Sequence, residues 1–212
     1  MDAPVLLIQW LKPNEYRETQ SVIKEFAGKN PRLALRDVKT KQELISVLKT
    51  LESTDNCQFL FIGAHGVKDC NGTYIGIGKS ATDYIKWGEL WEALSQAQMP
   101  PVLWLGACSS ARCAEAWSPF PTEIPVLKWL VGFDKDVYPK EIEEILKALI
   151  NMTSLNHITY AHEEIPRLKK LIAGTCVQMH YPVCFNKEGR FVKTTDFPNV
   201  FNKTFSEHLN GK

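Results

Sequence analysis

The chain of 212 residues has little excess charge and no long apolar segment. Its formal net charge is +1 at pH 7, from 25 basic and 24 acidic residues. This near-equal number of acidic and basic residues argues against a dedicated nucleic-acid-binding protein. No apolar run approaches the roughly 20 residues that cross a bilayer, and the start, Met1-Asp2-Ala3-Pro4, lacks the basic region of a secretory leader. We therefore expect a cytoplasmic protein without membrane or direct nucleic-acid contact.

The six cysteines lack the CxxC spacing of zinc sites. Without a secretory leader, free thiols are expected rather than disulfides. We therefore expect no metal and no other cofactor. Internal repeats and low-complexity linkers are also lacking, and the length suits one unit. The sequence predicts a single domain over residues 1–212, with a hairpin or loop insertion over residues 68–86 around Asn71-Gly72.

What the chain has is a regular alternation of apolar strand patterns and amphipathic helix patterns. Strands are predicted at residues 5–10, 33–38, 59–64, 102–107 and 126–133, followed by a weaker strand pair at 177–185 and 190–193. Helices are predicted at residues 13–26, 87–97, 139–152 and 167–172, with another that opens at a capping box on Thr40. Such alternation predicts an α/β fold, a three-layer sandwich whose mostly parallel sheet carries helices on both faces.

Two of the predicted strands end in residues that carry chemistry. The run from Phe59 closes with His65-Gly66, and the run from Val102 closes with Ala107-Cys108. In open α/β sheets, ligands bind outside the carboxyl ends of the strands. A histidine and a cysteine side by side at that edge would form a base and a nucleophile. The sequence therefore predicts a thiol enzyme.

The order His65-Gly66 and then Ala107-Cys108 resembles the caspase-like cysteine peptidases, most closely the bacterial CHAT-type domains. Their spacing approaches the roughly 50 residues found in caspases. Other stretches resemble the same group: Gly88-Glu89-Leu90-Trp91, Val131-Gly132-Phe133-Asp134 and residues 138–150. The cysteine lacks the Gln-Ala-Cys-Arg-Gly setting of animal caspases, and Gly106 stands where metacaspases carry aspartate. Specificity and activation of the animal type are therefore not expected.

The resemblance implies a cysteine endopeptidase acting on a protein partner. His65 would be the base and Cys108 the nucleophile, and the backbone N–H groups of Gly66 and Cys108 would form the oxyanion hole. By analogy with bacterial CHAT proteins, a protein partner would switch the protease on in an antiviral defence system. The isolated chain is then expected to be poorly active.

The stretch after the fifth strand supplies candidate substrate-binding residues. In caspases that cut after aspartate, an aromatic residue and then an arginine stand there; this chain has Phe133 and then Asp134. A carboxylate in that pocket would favour cleavage after lysine or arginine. Asp136 is the alternative if the register differs by two residues. Asp134 as a simple helix cap is the competing interpretation.

Three other interpretations stay open. Most cysteines at strand ends are core residues, and Cys113 in particular reads as the interior of a helix. A caspase-like fold without catalysis would be an interaction module. The stretch from Thr73 to Ser80 is close to the sequence motif of a phosphate-binding loop, although Thr73 stands where the motif requires its first glycine. A loop of that kind would indicate a nucleotide-binding α/β protein.

Overall fold

Strands and helices alternate along the chain, as predicted. The computed structural model describes residues 5–29, 33–51, 59–96, 102–116, 129–152, 183–186 and 191–192. The strands are β1 Val5–Trp10, β2 Leu33–Asp37, β3 Phe59–Lys68, β4 Tyr74–Gly78, β5 Tyr84–Lys86, β6 Val102–Gly106, β7 Trp129–Gly132, β8 Val183–Asn186 and β9 Phe191–Val192. The helices are α1 Glu18–Glu25, α2 Lys41–Lys49, α3 Trp87–Ser95 and α4 Pro139–Met152, with a 3-10 helix at Ser110–Ala116.

The main sheet has the strand order β2-β1-β3-β6-β7-β8-β9. From β2 to β7 every neighbouring pair is parallel, and β8 and β9 then add antiparallel strands at the edge. All of β1 and all of β6 are buried. Strands covered on both faces need continuous apolar sequence, which is what these runs have.

Two apolar layers cover the sheet. Along β3, Leu60 and Ile62 face one layer while Phe59 and Phe61 face the other, as the two-residue period of a strand requires. The first layer includes side chains of α2, α3 and the 3-10 helix, and the second includes side chains of α1 and α4. The predicted α/β class, with a mostly parallel sheet between helices, is confirmed. Among the described residues, no helix is both long and apolar enough to span a bilayer.

Strand β3 is longer than the prediction that ended it at residue 64. Its first half pairs with β1 up to Ala64 and with β6 up to Gly63. Its second half, from His65 to Lys68, pairs with antiparallel β4. β4 in turn pairs with β5. The turn between β3 and β4 contains Gly72 at φ +79°, a left-handed conformation that glycine adopts without strain. The apolar pattern stops at His65 because β3 leaves the buried sheet there and continues as one strand of this hairpin.

The first helix also differs from the prediction, which began it at residue 13. α1 begins at Glu18, because Lys12 to Glu15 form a turn in which Glu15 N–H donates to Lys12 C=O at 3.1 Å. Arg17 then has an extended backbone with φ −122°. Residues 11–17 therefore form a loop at the carboxyl end of β1.

The other predicted elements agree closely where the structure describes them. The helix predicted at 139–152 has those bounds. The Thr40 hydroxyl caps α2 by accepting the Glu43 N–H at 3.2 Å, while the Glu43 carboxylate accepts the Lys39 N–H at 2.7 Å. The helix predicted at 167–172 and the strand residues 177–182 lie outside the described residues.

Candidate active site

His65 and Cys108 lie at the carboxyl edge of the parallel sheet. β3 and β6 are neighbours in register, with Gly63 opposite Gly106, so the two side chains follow at the same level. Both line one cavity of about 220 Å³. Its other lining residues are Leu11, Glu15, Tyr16, Glu18, Ala64, Ala107, Val137, Pro139 and Ile142. The predicted base and nucleophile thus share a cavity, although His65 stands inside β3 rather than at its end.

A tight turn after β6 carries Cys108. Ser109 adopts φ +49°, which is uncommon for a residue other than glycine, and the 3-10 helix starts directly after it. The buried Ser110 hydroxyl donates to Leu105 C=O at 2.7 Å and accepts the Phe133 N–H at 3.1 Å. The Ser109 N–H donates to Lys135 C=O at 2.9 Å. These hydrogen bonds fix the cysteine turn against the end of β7.

The Cys108 thiol is half-buried and hydrogen-bonded to the backbone of Val137. The Val137 N–H donates to Sγ at 3.4 Å, and Sγ donates to Val137 C=O at 3.5 Å. Burial raises the pKa of Cys108 above that of a free thiol, and the negative charge of Asp136 acts in the same direction. The Val137 N–H and the charge of Lys68 act against that rise. The resting thiol is therefore mostly protonated at neutral pH, and its use as a nucleophile needs a base.

Glu15 holds the imidazole of His65. His65 Nε2 lies 3.0 Å from Glu15 Oε2, and the same oxygen accepts the Lys12 N–H at 2.7 Å. Burial by itself raises the pKa of Glu15, but the hydrogen bonds from Lys12 and His65 outweigh it and lower that pKa. A carboxylate that stays ionised beside Nε2 leaves Nδ1 as the ring nitrogen free to accept a proton.

Gly66 and Cys108 approach each other closely through their backbones. A Cβ on Gly66 would overlap the Cys108 carbonyl oxygen and would come within 2.8 Å of the Tyr74 ring. Only glycine fits at this position. The proposed oxyanion pair, the N–H groups of Gly66 and Cys108, belongs to these two adjacent backbone segments and stays a prediction.

The candidate substrate-binding residues after β7 have unequal positions. Phe133 is fully buried and packs on Trp104 with ring centroids 6.3 Å apart, so its ring has no surface to offer a substrate. Asp134 is half-buried. Asp136 is exposed, accepts the hydroxyl of Tyr74 and lies 3.9 Å from Lys68 Nζ. The described lining of the cavity includes none of the three predicted residues.

Sequence reasoning missed two carboxylates that do line the cavity, Glu15 and Glu18. Both follow β1, which lies beside β3 in the sheet. The rule that ligands gather at the carboxyl ends of neighbouring strands covers β1 as much as β3 and β6. The prediction of a helix from residue 13 concealed the loop that carries Glu15.

Two other described thiols and the near phosphate-binding loop lie apart from the cavity. Cys113 is buried as predicted, and burial raises its pKa well above that of a free thiol. Cys70 is exposed. The stretch after Thr73 is strand β4, followed by a turn rather than a helix, and Lys79 Nζ donates to Lys39 C=O at 2.9 Å. Within the described ranges, no group of three or more His, Cys, Asp or Glu side chains could hold a metal ion.

Comparison with known proteins gives likenesses among solved structures alone. No protein-family model matches the sequence, and no curated protein matches it either. The fold is similar to the X-ray structure of a secreted C11 cysteine protease from Bacteroides thetaiotaomicron in complex with an irreversible peptide inhibitor. The TM-score is 0.49 at 14% identity, and the match covers 87% of this chain and 66% of that protease. The chain therefore spans just under two thirds of the length of that protease.

Proposed function

We propose that this chain is a cysteine endopeptidase in which His65 is the base and Cys108 the nucleophile. The observation that carries the proposal is the shared cavity at the carboxyl edge of the sheet. It is lined by the imidazole of His65 on β3 and by the thiol of Cys108, just after the neighbouring strand β6. Two contacts support the proposal: His65 Nε2 lies 3.0 Å from Glu15 Oε2, and Gly66 approaches the Cys108 backbone so closely that only glycine fits. The motif order that resembles caspase-like peptidases supports it independently.

The reaction in this proposal follows from the arrangement of the groups. His65 Nδ1 takes the thiol proton of Cys108, and the thiolate attacks the carbonyl carbon of the scissile peptide bond. Backbone N–H groups stabilise the negative oxygen. The C–N bond then breaks as His65 returns the proton to the leaving amine. A water molecule, deprotonated by His65, hydrolyses the thioester, which releases the acid product and restores the thiol.

Covalent labelling tests the proposal and separates it from a catalytically silent module. We expect a peptidyl acyloxymethyl ketone at neutral pH to modify Cys108 in preference to Cys70, because only a thiol beside a base attacks this weak electrophile readily. Cys70 is the internal control, since it is exposed in the described part of the chain. The measurement is mass spectrometry of both sites over time, in the wild type and in His65→Ala. Equal labelling of Cys70 and Cys108, unchanged by His65→Ala, would contradict the proposal.

Glu15 is a positioning residue in this scheme, acting through His65. We expect Glu15→Ala to lower kcat by about 10- to 100-fold with KM little changed, because a misplaced imidazole costs rate rather than substrate affinity. Glu15→Gln keeps an acceptor for Nε2 and is expected to restore part of the loss. The measurement is steady-state kinetics on a peptide substrate.

The matched control for Glu15 is Glu43→Ala. Glu43 also accepts a backbone N–H at 2.7 Å, from Lys39, but it stands at the first turn of α2 and does not line the cavity. Its removal is expected to leave kcat unchanged. If Glu15→Ala keeps full kcat, or if both variants lose kcat to the same extent, Glu15 does not position His65.

The proposal extends to setting and regulation. The substrate is a protein, the enzyme acts in the cytoplasm without a cofactor, and a second protein activates it, by analogy with bacterial CHAT defence proteases. Cys108, half-buried and with a raised pKa, is consistent with a thiol that awaits such a partner. Robust peptide turnover by the freshly purified chain alone, at low concentration, would refute the requirement for an activator.

A further inference from the structure

A hydrogen bond joins the β3–β4 hairpin to the segment that follows β7. The hydroxyl of Tyr74, on β4, donates to the carboxylate of Asp136. Lys68, the residue opposite Tyr74 on β3, lies beside both side chains. Its Nζ is 4.5 Å from the centroid of the Tyr74 ring and 3.9 Å from Asp136 Oδ2. We call Lys68, Tyr74 and Asp136 the bridging cluster.

The Tyr74 hydroxyl is the donor in this contact. Burial and the hydrogen bond to Asp136 raise the pKa of Tyr74, so the hydroxyl keeps its proton at neutral pH. A hydrogen bond from a hydroxyl to a carboxylate is charge-assisted and therefore stronger than a neutral one. Tyr74 is also fixed through its backbone, since its C=O accepts the Trp87 Nε1–H at 3.2 Å. The hairpin thus gives Asp136 a partner that is itself held in place.

Asp136 lies in the middle of the segment that binds the thiol. Its neighbour Val137 donates to Cys108 Sγ at 3.4 Å and accepts from it at 3.5 Å. On the other side, Lys135 C=O accepts the Ser109 N–H at 2.9 Å. Both neighbours of Asp136 therefore bond to the cysteine turn, while the side chain of Asp136 bonds to the hairpin.

The hairpin that binds Asp136 also carries the proposed base. His65 lies on β3, in the half of the strand that pairs with β4. The Tyr74 ring lies next to this half, because a Cβ on Gly66 would come within 2.8 Å of it. The bridging cluster therefore connects the strand of the imidazole to the segment that binds the sulfur. Reaction rates depend steeply on the relative position of two such groups.

We propose that Tyr74 and Asp136 are positioning residues, which hold the sulfur of Cys108 where His65 can take its proton. The catalytic consequence rests on the proposed peptidase function, whereas the ordering of residues 133–137 does not. The proposal assigns Asp136 a role different from the substrate binding expected from the sequence, because its carboxylate already accepts the Tyr74 hydroxyl.

Lys68 offsets the effect of a carboxylate close to a nucleophilic thiol. The negative charge of Asp136 raises the pKa of Cys108, and the positive charge of Lys68 lowers it. A lone carboxylate at this position would therefore oppose formation of the thiolate. With Lys68 beside it, Asp136 can hold the segment at a smaller cost to the reactivity of the thiol.

Hydrogen exchange tests the ordering without reference to any activity. Tyr74→Phe removes the hydroxyl and keeps the ring. We expect amide exchange in residues 133–137 to become about 10-fold faster, while exchange in β1 is unchanged. The matched control is Tyr84→Phe, which removes a hydroxyl from β5, beside β4, and is expected to leave both rates unchanged. Unchanged exchange in Tyr74→Phe, or equal acceleration in Tyr84→Phe, would overturn the proposal.

Steady-state kinetics on the full chain, with its activating partner if one is needed, test the catalytic part. We expect Tyr74→Phe and Asp136→Ala each to lower kcat about 10-fold with KM little changed. Because the two side chains share one hydrogen bond, the double variant is expected to lose no more than either single variant. Asp136→Asn keeps an acceptor for the hydroxyl and is expected to restore part of the loss. The charge of Asp136 alone predicts the opposite sign, since its removal lowers the pKa of Cys108.

The outcomes separate this inference from the peptidase function. Faster exchange of residues 133–137 in Tyr74→Phe, in a chain whose wild type cleaves no peptide, supports the ordering and refutes the enzyme together with the catalytic role. Cleavage by the wild type with unchanged kcat in Tyr74→Phe and Asp136→Ala refutes the inference alone. A loss confined to peptides with lysine or arginine before the scissile bond would make Asp136 a substrate-binding residue and would also overturn the proposal.

Discussion

Replacing Cys108 by alanine is expected to abolish peptide cleavage while the fold is retained. The proposed reaction passes through a thioester on Sγ, so without the sulfur only transition-state binding remains. Loss of a nucleophile of this kind lowers kcat on the order of 10⁴-fold or more. Cys108 is half-buried and Ala107 beside it is already small, so the smaller side chain is expected to cost little stability. The measurement pairs kcat/KM with a thermal melt.

Two other cysteines, Cys70 and Cys113, provide matched controls for Cys108→Ala. Cys70→Ala removes an exposed thiol and is expected to change neither activity nor melting temperature. Cys113→Ala removes a fully buried thiol from the core that includes side chains of α3. This variant is expected to have a lower melting temperature. The molecules that stay folded are expected to keep their kcat. Full activity of Cys108→Ala, or an equal loss in Cys113→Ala at a temperature where it is folded, would eliminate Cys108 as the nucleophile.

Gly66→Ala is expected to have the second-largest effect. The added Cβ would overlap the Cys108 carbonyl oxygen and crowd the ring of Tyr74, so the two backbone segments must separate. A change of this kind is expected to destabilise the fold by about 1–3 kcal/mol. It also displaces the N–H groups that we propose for the oxyanion hole, and the loss of one such donor costs about 10²- to 10³-fold in kcat. The measurement is kcat on the folded fraction, with unfolding followed in denaturant.

Gly88→Ala is the matched control for Gly66→Ala. Gly88 lies in the first turn of α3, and a Cβ there meets nothing within 4 Å. Alanine is also the better helix former, so this variant is expected to be at least as stable as the wild type and fully active. A folded Gly66→Ala protein with unchanged kcat would mean that the close backbone approach has no part in catalysis.

Sequence alone predicted the sheet and placed His65 and Cys108 at its carboxyl edge, where both line one cavity. Apolar runs ending in His65-Gly66 and Ala107-Cys108 identify neighbouring strands of a parallel sheet, because such strands are covered on both faces. The sequence pattern did not predict that β3 continues to Lys68, since that half of the strand is stabilised by hydrogen bonds to β4 rather than by an apolar face.

The two carboxylates of the cavity could not be predicted from local pattern. Glu15 faces His65 only because a turn at Lys12 delays the helix to Glu18, and that turn depends on a hydrogen bond to the Glu15 side chain itself. The burial of Glu18 likewise depends on Gly63, which is distant in sequence. Such contacts follow from the tertiary structure and leave no periodicity to detect.

The turn that carries Cys108 depends on the segment that follows β7. The Ser109 N–H binds Lys135, the Ala111 N–H binds Phe133 C=O at 2.9 Å, and the thiol itself contacts Val137. The position of the sulfur therefore depends on residues 133–137. A ligand or protein that pulled this segment outward by an ångström would carry the sulfur away from the imidazole on β3. The position of the thiol is thus tied by hydrogen bonds to the segment that follows β7.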